Sequence, residues 1–346
     1  MYDRRCYKRY YYINGEWLED PQDPPKDYDL AIFVCNKSEA ADILKNKVSD
    51  SIIKNIKDNE NDNIQAVIKA VFEDYNYHED YNYQYISLFK LSNRKIDNKN
   101  IDCERENTNL ITPKIINMAI VIFEKEFYVF ADDNADDKLI DWINRVVDMF
   151  KQDAADKFKQ EKRVLGSIFI YHFLFASMSD LNSMLKDLYG AIYHYSKQSS
   201  KQSITIIGPK VPNPKDQKIQ INLMKNLFEI KDLILELRIY LTYIKEVLRK
   251  IRPLFRETSE YYNKLSDIKE KCDDGLYKIE ENMQSTISIT FHSASLRQTK
   301  DTRLLTAIST LLIIITILHS TNRIHFDDSL YILLTIIMII IAYYYI

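Results

Sequence analysis

Glycine is scarce in this sequence, with five in 346 residues, at Gly15, Gly166, Gly190, Gly208 and Gly275. No two lie close enough to form a loop whose backbone cradles phosphate, which excludes Walker-type and dinucleotide-binding readings. The four cysteines, Cys6, Cys35, Cys103 and Cys272, are far apart and form no C-x-x-C pair. Neither a zinc site nor a disulfide framework is expected from them, and a reducing compartment fits. An excess of positive charge is also missing. Against 50 acidic side chains stand 47 basic ones, for a net charge of −3, so there is no general basic surface to neutralise the phosphates of a nucleic acid. The N-terminus carries Arg4, Arg5, Lys8 and Arg9 but no apolar run behind them, which argues against a cleavable signal peptide and for a body that stays in the cytosol.

What the chain does have is apolar content, at 46%, enough for a core of domain size. Its most apolar stretches stand at the C-terminal end. Leu304 to Leu318 contains no ionisable side chain, and Thr302 to Ser320 as a helix spans about 28 Å, enough to cross a bilayer. Leu330 to Ile346 is a second such stretch, with Tyr343 to Tyr345 suited to a membrane interface. Only about ten residues separate the two, so the helices are expected as antiparallel neighbours. Arg297, Lys300 and Arg303 place the open ends of the pair, and so both termini, in the cytosol of a cell bounded by its inner (plasma) membrane. A third apolar run, Val164 to Met178, contains His172 and passes into an amphipathic pattern; it is assigned to the soluble body.

The body reads as an α+β domain, a mixed sheet with helices. Strands are expected at Asp29 to Cys35, Tyr83 to Leu91, Asn117 to Phe123 and Phe127 to Ala131, the last two as a hairpin turning at Glu124 and Lys125. Helices are expected over Ser38 to Ile56, Asp136 to Phe150 and Asp153 to Ser196. Asn55 to Asn63 and Asn93 to Asn109 are biased in composition and read as loops. Gly208, Pro209, Pro212 and Pro214 break the helical pattern. Beyond them, Leu223, Leu227, Ile230, Leu233, Leu237, Leu241, Ile244, Leu248 and Ile251 mark one face of a long helix, which Pro253 ends or kinks. Leu265, Ile268, Cys272, Leu276, Ile279, Met283 and Ile287 continue the spacing, so a second helix of about 95 Å is expected to run from Glu257 into the membrane. The resulting division is a cytosolic α/β domain at 1–200, a loop at 201–217, stalk helices at 218–302, a first transmembrane helix at 303–320, an outer loop at 321–329 and a second transmembrane helix at 330–346.

Along the end of that helix Thr299, Thr302, Thr306, Ser309, Thr316 and Ser320 fall on one stripe, with Ile313 at the remaining position. Small and hydroxyl residues also serve as a packing seam between helices in lipid. In a ring of such helices they would instead line a conduit with hydroxyl oxygens, and Leu305 and Ile313 would close it by dewetting. The segment at 295–310, S-L-R-Q-T-K-D-T-R-L-L-T-A-I-S-T, resembles the S-N-x-x-N-x-x-M-K-x-L-T-x-I-S-T segment at the cytosolic start of the pore helix in the CorA superfamily of magnesium channels and transporters. The resemblance covers 226–346 best. It implies a funnel-shaped homopentamer in a lipid bilayer, with a pore lined by Thr299, Thr302, Leu305, Thr306, Ser309, Ile313, Thr316 and Ser320. Divalent cations, Mg²⁺ among them, would be the cargo rather than a bound cofactor, and no covalent chemistry is required.

At the outer mouth the family's Y-G-M-N-F is replaced by Asn322, Arg323, Ile324, His325 and Phe326. The neutral asparagine that holds hydrated Mg²⁺ is therefore missing. Arg323 would repel cations if it faced the axis, His325 can be neutral near pH 7, and Asp327 and Asp328 can attract cations as a ring or stand as solvated loop charges. In the body, Asp132, Asn134 and Asp136 form a carboxylate-rich cluster that suits a helix N-terminus first and a divalent cation second. Two further readings stay open. One is a membrane effector associated with type III CRISPR defence and opened by a nucleotide messenger, S-adenosyl methionine joined to AMP, with Tyr75, Tyr77, Tyr81, Tyr83 and Tyr85 as stacking rings. The other is a membrane-anchored interaction module.

Overall fold

The computed structural model describes residues 6–58, 67–69, 77–80, 83–95, 111–132, 137–154, 162–207 and 214–320. They form two compact units, one comprising 1–188 with 232–278 and the other 189–231 with 279–346.

The first unit is built on a seven-stranded mixed sheet of order β2-β1-β3-β7-β6-β5-β4. Its strands are β1 (Cys6–Ile13), β2 (Glu16–Glu19), β3 (Leu30–Asn36), β4 (Tyr77–Glu79), β5 (Gln84–Lys95), β6 (Ile111–Ile122) and β7 (Glu126–Ala131). Only β3 and β7 run parallel; the other neighbours are antiparallel. The expected α+β class is found, and the hairpin at Glu124 and Lys125 joins β6 to β7. The β1–β2 hairpin was not expected. It turns on Asn14 and Gly15, whose φ angles of 50° and 92° are both positive, the conformation that an Asn-Gly pair adopts between twisted strands.

Side chains on β7 alternate between two layers. Tyr128 and Phe130 join a cluster with Cys35, Ile43, Leu44 and Ile52, under the short helices α1 (Ala40–Leu44) and α2 (Asp50–Asp58). Phe127 turns the other way, 4.9 Å from Phe169 and 6.0 Å from Phe150 between ring centroids. Those rings belong to α4 (Lys162–Ile207) and α3 (Asp137–Ala154). Gly166 lets α4 approach the sheet: a Cβ at that position would stand 3.3 Å from Ile122 Cγ2. Val164–Lys197 is long and apolar enough to cross a membrane, but 83% of its most apolar window is buried inside the protein. It is the core helix that the sequence placed in the body.

Helix α5 (Pro214–Ile251) buries every position of its predicted stripe, Leu223 through Ile251. A 3₁₀ turn at Arg252–Phe255, containing Pro253, separates it from α6 (Ser259–Ser320), a helix of 62 residues. One expectation needs correcting. Residues 201–207 and 214–217, assigned to a loop, are helical; Pro214 stands at the first helical position, where its missing N–H has no partner to lose. The cysteine reading also changes, because Cys6 and Cys35 are bonded across β1 and β3 while Cys272 is free and buried. Sequence spacing of 29 hid a pairing that the strand register creates.

Beyond its short ladder with β4, strand β5 has no further strand partner on its outer side among the described residues. Two tyrosines of α5 cap this edge. Tyr240 donates to the Phe89 carbonyl at 2.7 Å, and Tyr243 donates to the Ser87 carbonyl. Both rings are fully buried, and burial drives both hydroxyl pKa values upward, so the groups remain donors. At the start of the central strand β7, Glu126 accepts from Lys47 at 2.6 Å, Tyr28 at 2.7 Å and Tyr128 at 2.9 Å. Burial alone would raise its pKa, but these donors and the Lys47 charge together hold it below the usual carboxylate range.

Tyr240→Phe and Tyr243→Phe each leave a buried carbonyl without its donor and are expected to lower unfolding free energy by about 1–3 kcal/mol. Chemical denaturation checks this, and losses below about 0.5 kcal/mol for both would contradict the clamp. For Glu126 the folded pKa lies below the unfolded one, so its ionised form adds stability above about pH 4.3. That increment is lost as pH falls through the folded value. Glu126→Gln is therefore expected to flatten the fall in stability between about pH 5 and pH 3, read as melting temperature against pH.

Candidate functional site

The surroundings of α6 change along its length while its backbone stays helical. In the first unit its buried side chains are Tyr261, Leu265, Cys272 and Leu276. Cys272 Sγ lies 3.7 Å from the Met178 carbonyl, and burial pushes the thiol up to about 12. In the second unit Ile279 and Met283 continue the stripe, which then passes to Thr286, Thr290 and Ser293 rather than to the predicted Ile287. Thr290 meets Ser199 of α4 at 2.8 Å, oxygen to oxygen.

Beyond Ser293 the described side chains of α6 are largely exposed. Thr299, Thr302, Leu305, Thr306, Ser309 and Ile313 all face outward from the single chain, with Leu305 at 64% and Ile313 at 58% exposure. Apolar side chains that open to solvent on a helix of this length call for a covering surface, lipid or protein. Gln298, Thr299, Thr302, Arg303 and Thr306 line an open groove of about 580 Å³. Gln298 and Arg303 were missing from the predicted stripe. Gln298 precedes Thr302 by four residues where the stripe used the position three before, Thr299, so admitting both spacings at that turn would have found it.

The threonines share one hydrogen-bonding pattern. Thr299, Thr302, Thr306 and Thr310 each donate their hydroxyl hydrogen to the carbonyl four residues earlier, at 2.8–2.9 Å. A hydroxyl so committed offers its surroundings lone pairs only. Thr299, Thr302 and Thr306 of the stripe thus present acceptors. The water molecules around a cation point their hydrogens outward, and acceptors are what such a shell needs. The same local bond keeps each hydroxyl satisfied inside the helix and independent of neighbours.

The other predicted site residues fall as follows. Thr316 and Ser320 lie on the helical backbone of α6, but their side chains are outside the described residues. So are Asn322, Arg323, Ile324, His325, Asp327 and Asp328 of the outer mouth and the second apolar stretch, 330–346. Of the cation cluster, Asn134 and Asp136 are likewise outside, while Asp132 pairs with the buried Lys37 at 2.5 Å. Among the described residues no group of three or more metal-binding side chains occurs. Tyr83 and Tyr85 are buried in the sheet core and are not free to stack on a ligand; Tyr75 and Tyr81 lie outside the described residues, as does the side chain of Tyr77.

Two solved structures share this arrangement of sheet and long helices. The CorA magnesium transporter from Methanocaldococcus jannaschii aligns with 98% of the chain and 95% of its own length, at 15% identity and a TM-score of 0.53. The chain has a CorA-like fold. The full-length CmaX protein aligns with 94% of the chain and 88% of its own length, at 9% identity and a TM-score of 0.58. No protein-family model and no curated protein sequence matches the chain. At these identities the likeness is one of fold, and the CorA-like fold therefore frames the α6 stripe without assigning its residues.

Because each back-bond is local, replacing these threonines should leave the helix intact. Thr302→Val and Thr306→Val are expected to change unfolding free energy by no more than about 0.5 kcal/mol and to leave helix content unchanged by circular dichroism. A larger loss would mean that the hydroxyls hold the fold instead of facing a ligand.

Proposed function

We propose that the chain is a CorA-like membrane conduit for hydrated divalent cations, assembled as a homopentamer around α6. One observation carries the reading. On a single unbroken helix, the exposed threonines spend their hydrogens on the backbone and turn lone pairs outward, at positions predicted to line a pore. Mg²⁺ dehydrates reluctantly, so a path for it has to accept hydrogen bonds from water without displacing that water. Neutral oxygens do so, and they do not trap the ion as a ring of carboxylates would.

In this reading residues 303–320 form the inner membrane helix and 330–346 an outer one, with both termini in the cytosol. Thr299, Thr302, Thr306, Ser309 and Thr316 face the axis, with Ser320 at the far end. Leu305 and Ile313 form apolar constrictions whose dewetting closes the path. Their exposure in the single chain is what a ring of subunits would cover. Asn322 to Phe326 form the mouth, where Arg323 must point away from the axis and His325, Asp327 and Asp328 face approaching cations. The soluble unit contributes gating. Nothing in this scheme needs a bound cofactor or a catalytic group.

Reconstitution into liposomes tests it. The full-length protein is expected to pass Mg²⁺ into vesicles loaded with a magnesium-sensitive dye. Thr306→Leu combined with Thr316→Leu should cut the initial rate by about tenfold or more, since two water-accepting contacts of about 1 kcal/mol each are lost per subunit. A membrane anchor for an interaction module would show no flux in either protein, and a packing seam would show equal flux in both.

A further inference from the structure

Cys6 and Cys35 are 29 residues apart, yet the register of β1 against β3 sets them opposite one another, with Cα atoms 3.9 Å apart and the sulfurs bonded. Both ends of the bond touch one apolar cluster, but they differ in exposure. Cys35 has no exposed surface and sits among Ala40, Ile43 and Tyr128 beneath the short helices. Cys6 is half-buried at the first residue of β1. The ladder slips in register between Cys6 and Lys8, and such a bulge disrupts the ladder locally. One sulfur is therefore approachable at a loosely held strand end, and its partner is sheltered in the core. Cys272, by contrast, is buried with its thiol pushed up to about 12, a setting in which thiols are inert.

We propose that Cys6 and Cys35 form a reversible thiol–disulfide pair, oxidised by a small disulfide of the glutathione class and reduced by the matching thiol, which sets how firmly β1 is tied to the sheet. The exchange balances without any other reactant. The Cys6 thiolate attacks one sulfur of the small disulfide and releases one thiolate, which takes up a proton. The Cys35 thiolate then attacks the Cys6 sulfur of the mixed disulfide and releases the second. Two protein thiols are oxidised to one disulfide, and one small disulfide is reduced to two thiols. In reverse, one small thiolate attacks the Cys6 sulfur and Cys35 leaves, and a second small thiolate attacks the small thiol's sulfur in that mixed disulfide and releases Cys6. Cys35 is the poorer nucleophile and slower leaving group because it is buried among apolar side chains, so the pair responds to sustained changes in redox poise. The inference does not depend on ion conduction.

The test uses the full-length protein equilibrated in reduced or in oxidised glutathione, then denatured, alkylated and mapped by peptide mass. Joined Cys6 and Cys35 peptides are expected in oxidised buffer and alkylated ones in reduced buffer. Amide hydrogen exchange across 7–13 should quicken roughly tenfold or more on reduction. Cys35→Ser should collect a glutathione adduct on Cys6 in the native protein, whereas Cys6→Ser should leave Cys35 unmodified. A bond present in both buffers, or in neither, overturns the proposal. So does unchanged exchange in β1 on reduction, or an adduct that prefers Cys35.

Discussion

The backbone hydrogen-bond ladder of α6, unbroken from Ser259 to Ser320, is the constraint on which the account rests. A helix can hold one direction through changing surroundings only if each of those surroundings is met by side chains that leave the ladder alone. The chain meets this condition in three ways. Apolar residues fill the interior positions from Leu265 to Met283. Hydroxyls replace them at Thr286, Thr290 and Ser293, each donating to the carbonyl four residues back. The same bond continues at Thr299, Thr302, Thr306 and Thr310 on exposed positions. A residue type of modest helix propensity is tolerated because its polar hydrogen is used inside the helix. What remains outside is a face of acceptors.

The sheet unit is held by a different set of contacts, and they are concentrated where a mixed sheet is weakest. An open edge offers unpaired carbonyls, and Tyr240 and Tyr243 supply the missing donors on β5. The parallel pair β3–β7 lies next to a small polar network around Glu126, in which one carboxylate collects three donors. At the other end of the same strand pair, Lys37 and Asp132 form an ion pair that is largely removed from solvent on the lysine side. Breaking such a pair from one side leaves a charge without compensation, which explains why Asp132 reads more naturally as a partner of Lys37 than as a cation ligand.

Much of this was legible in the sequence, for identifiable reasons. The α5 stripe from Leu223 to Ile251 was readable because its spacing admits one face and every member is apolar. Strands β3 and β7 were readable because each is a short apolar run with a β-branched or aromatic centre, Ile32 to Val34 in one and Phe127 to Phe130 in the other. The β1–β2 hairpin was not, since β1 carries Lys8 and Arg9 among its tyrosines and looks like a charged leader; Asn14-Gly15 was the signal that could have revealed it. The Cys6–Cys35 bond is a property of register, which local sequence does not encode. Residues 201–207 were assigned to a loop because Gly208 and the prolines after it signal a break, yet they are helical through Ile207. In the stripe, sequence spacing gave the threonine positions but could not give the direction of their hydroxyl hydrogens, and that direction decides what the face can bind.

The most direct measurement is a cysteine-substitution scan of residues 298–313, in a background with Cys6, Cys35, Cys103 and Cys272 replaced by serine, reading block of Mg²⁺ flux by a membrane-impermeant thiol reagent. The account predicts block at Thr299, Thr302, Leu305, Thr306, Ser309 and Ile313 and little at the remaining positions, one face of a helix with a period of three to four. Uniform block, or flux that no position controls, would contradict a pore lined by α6.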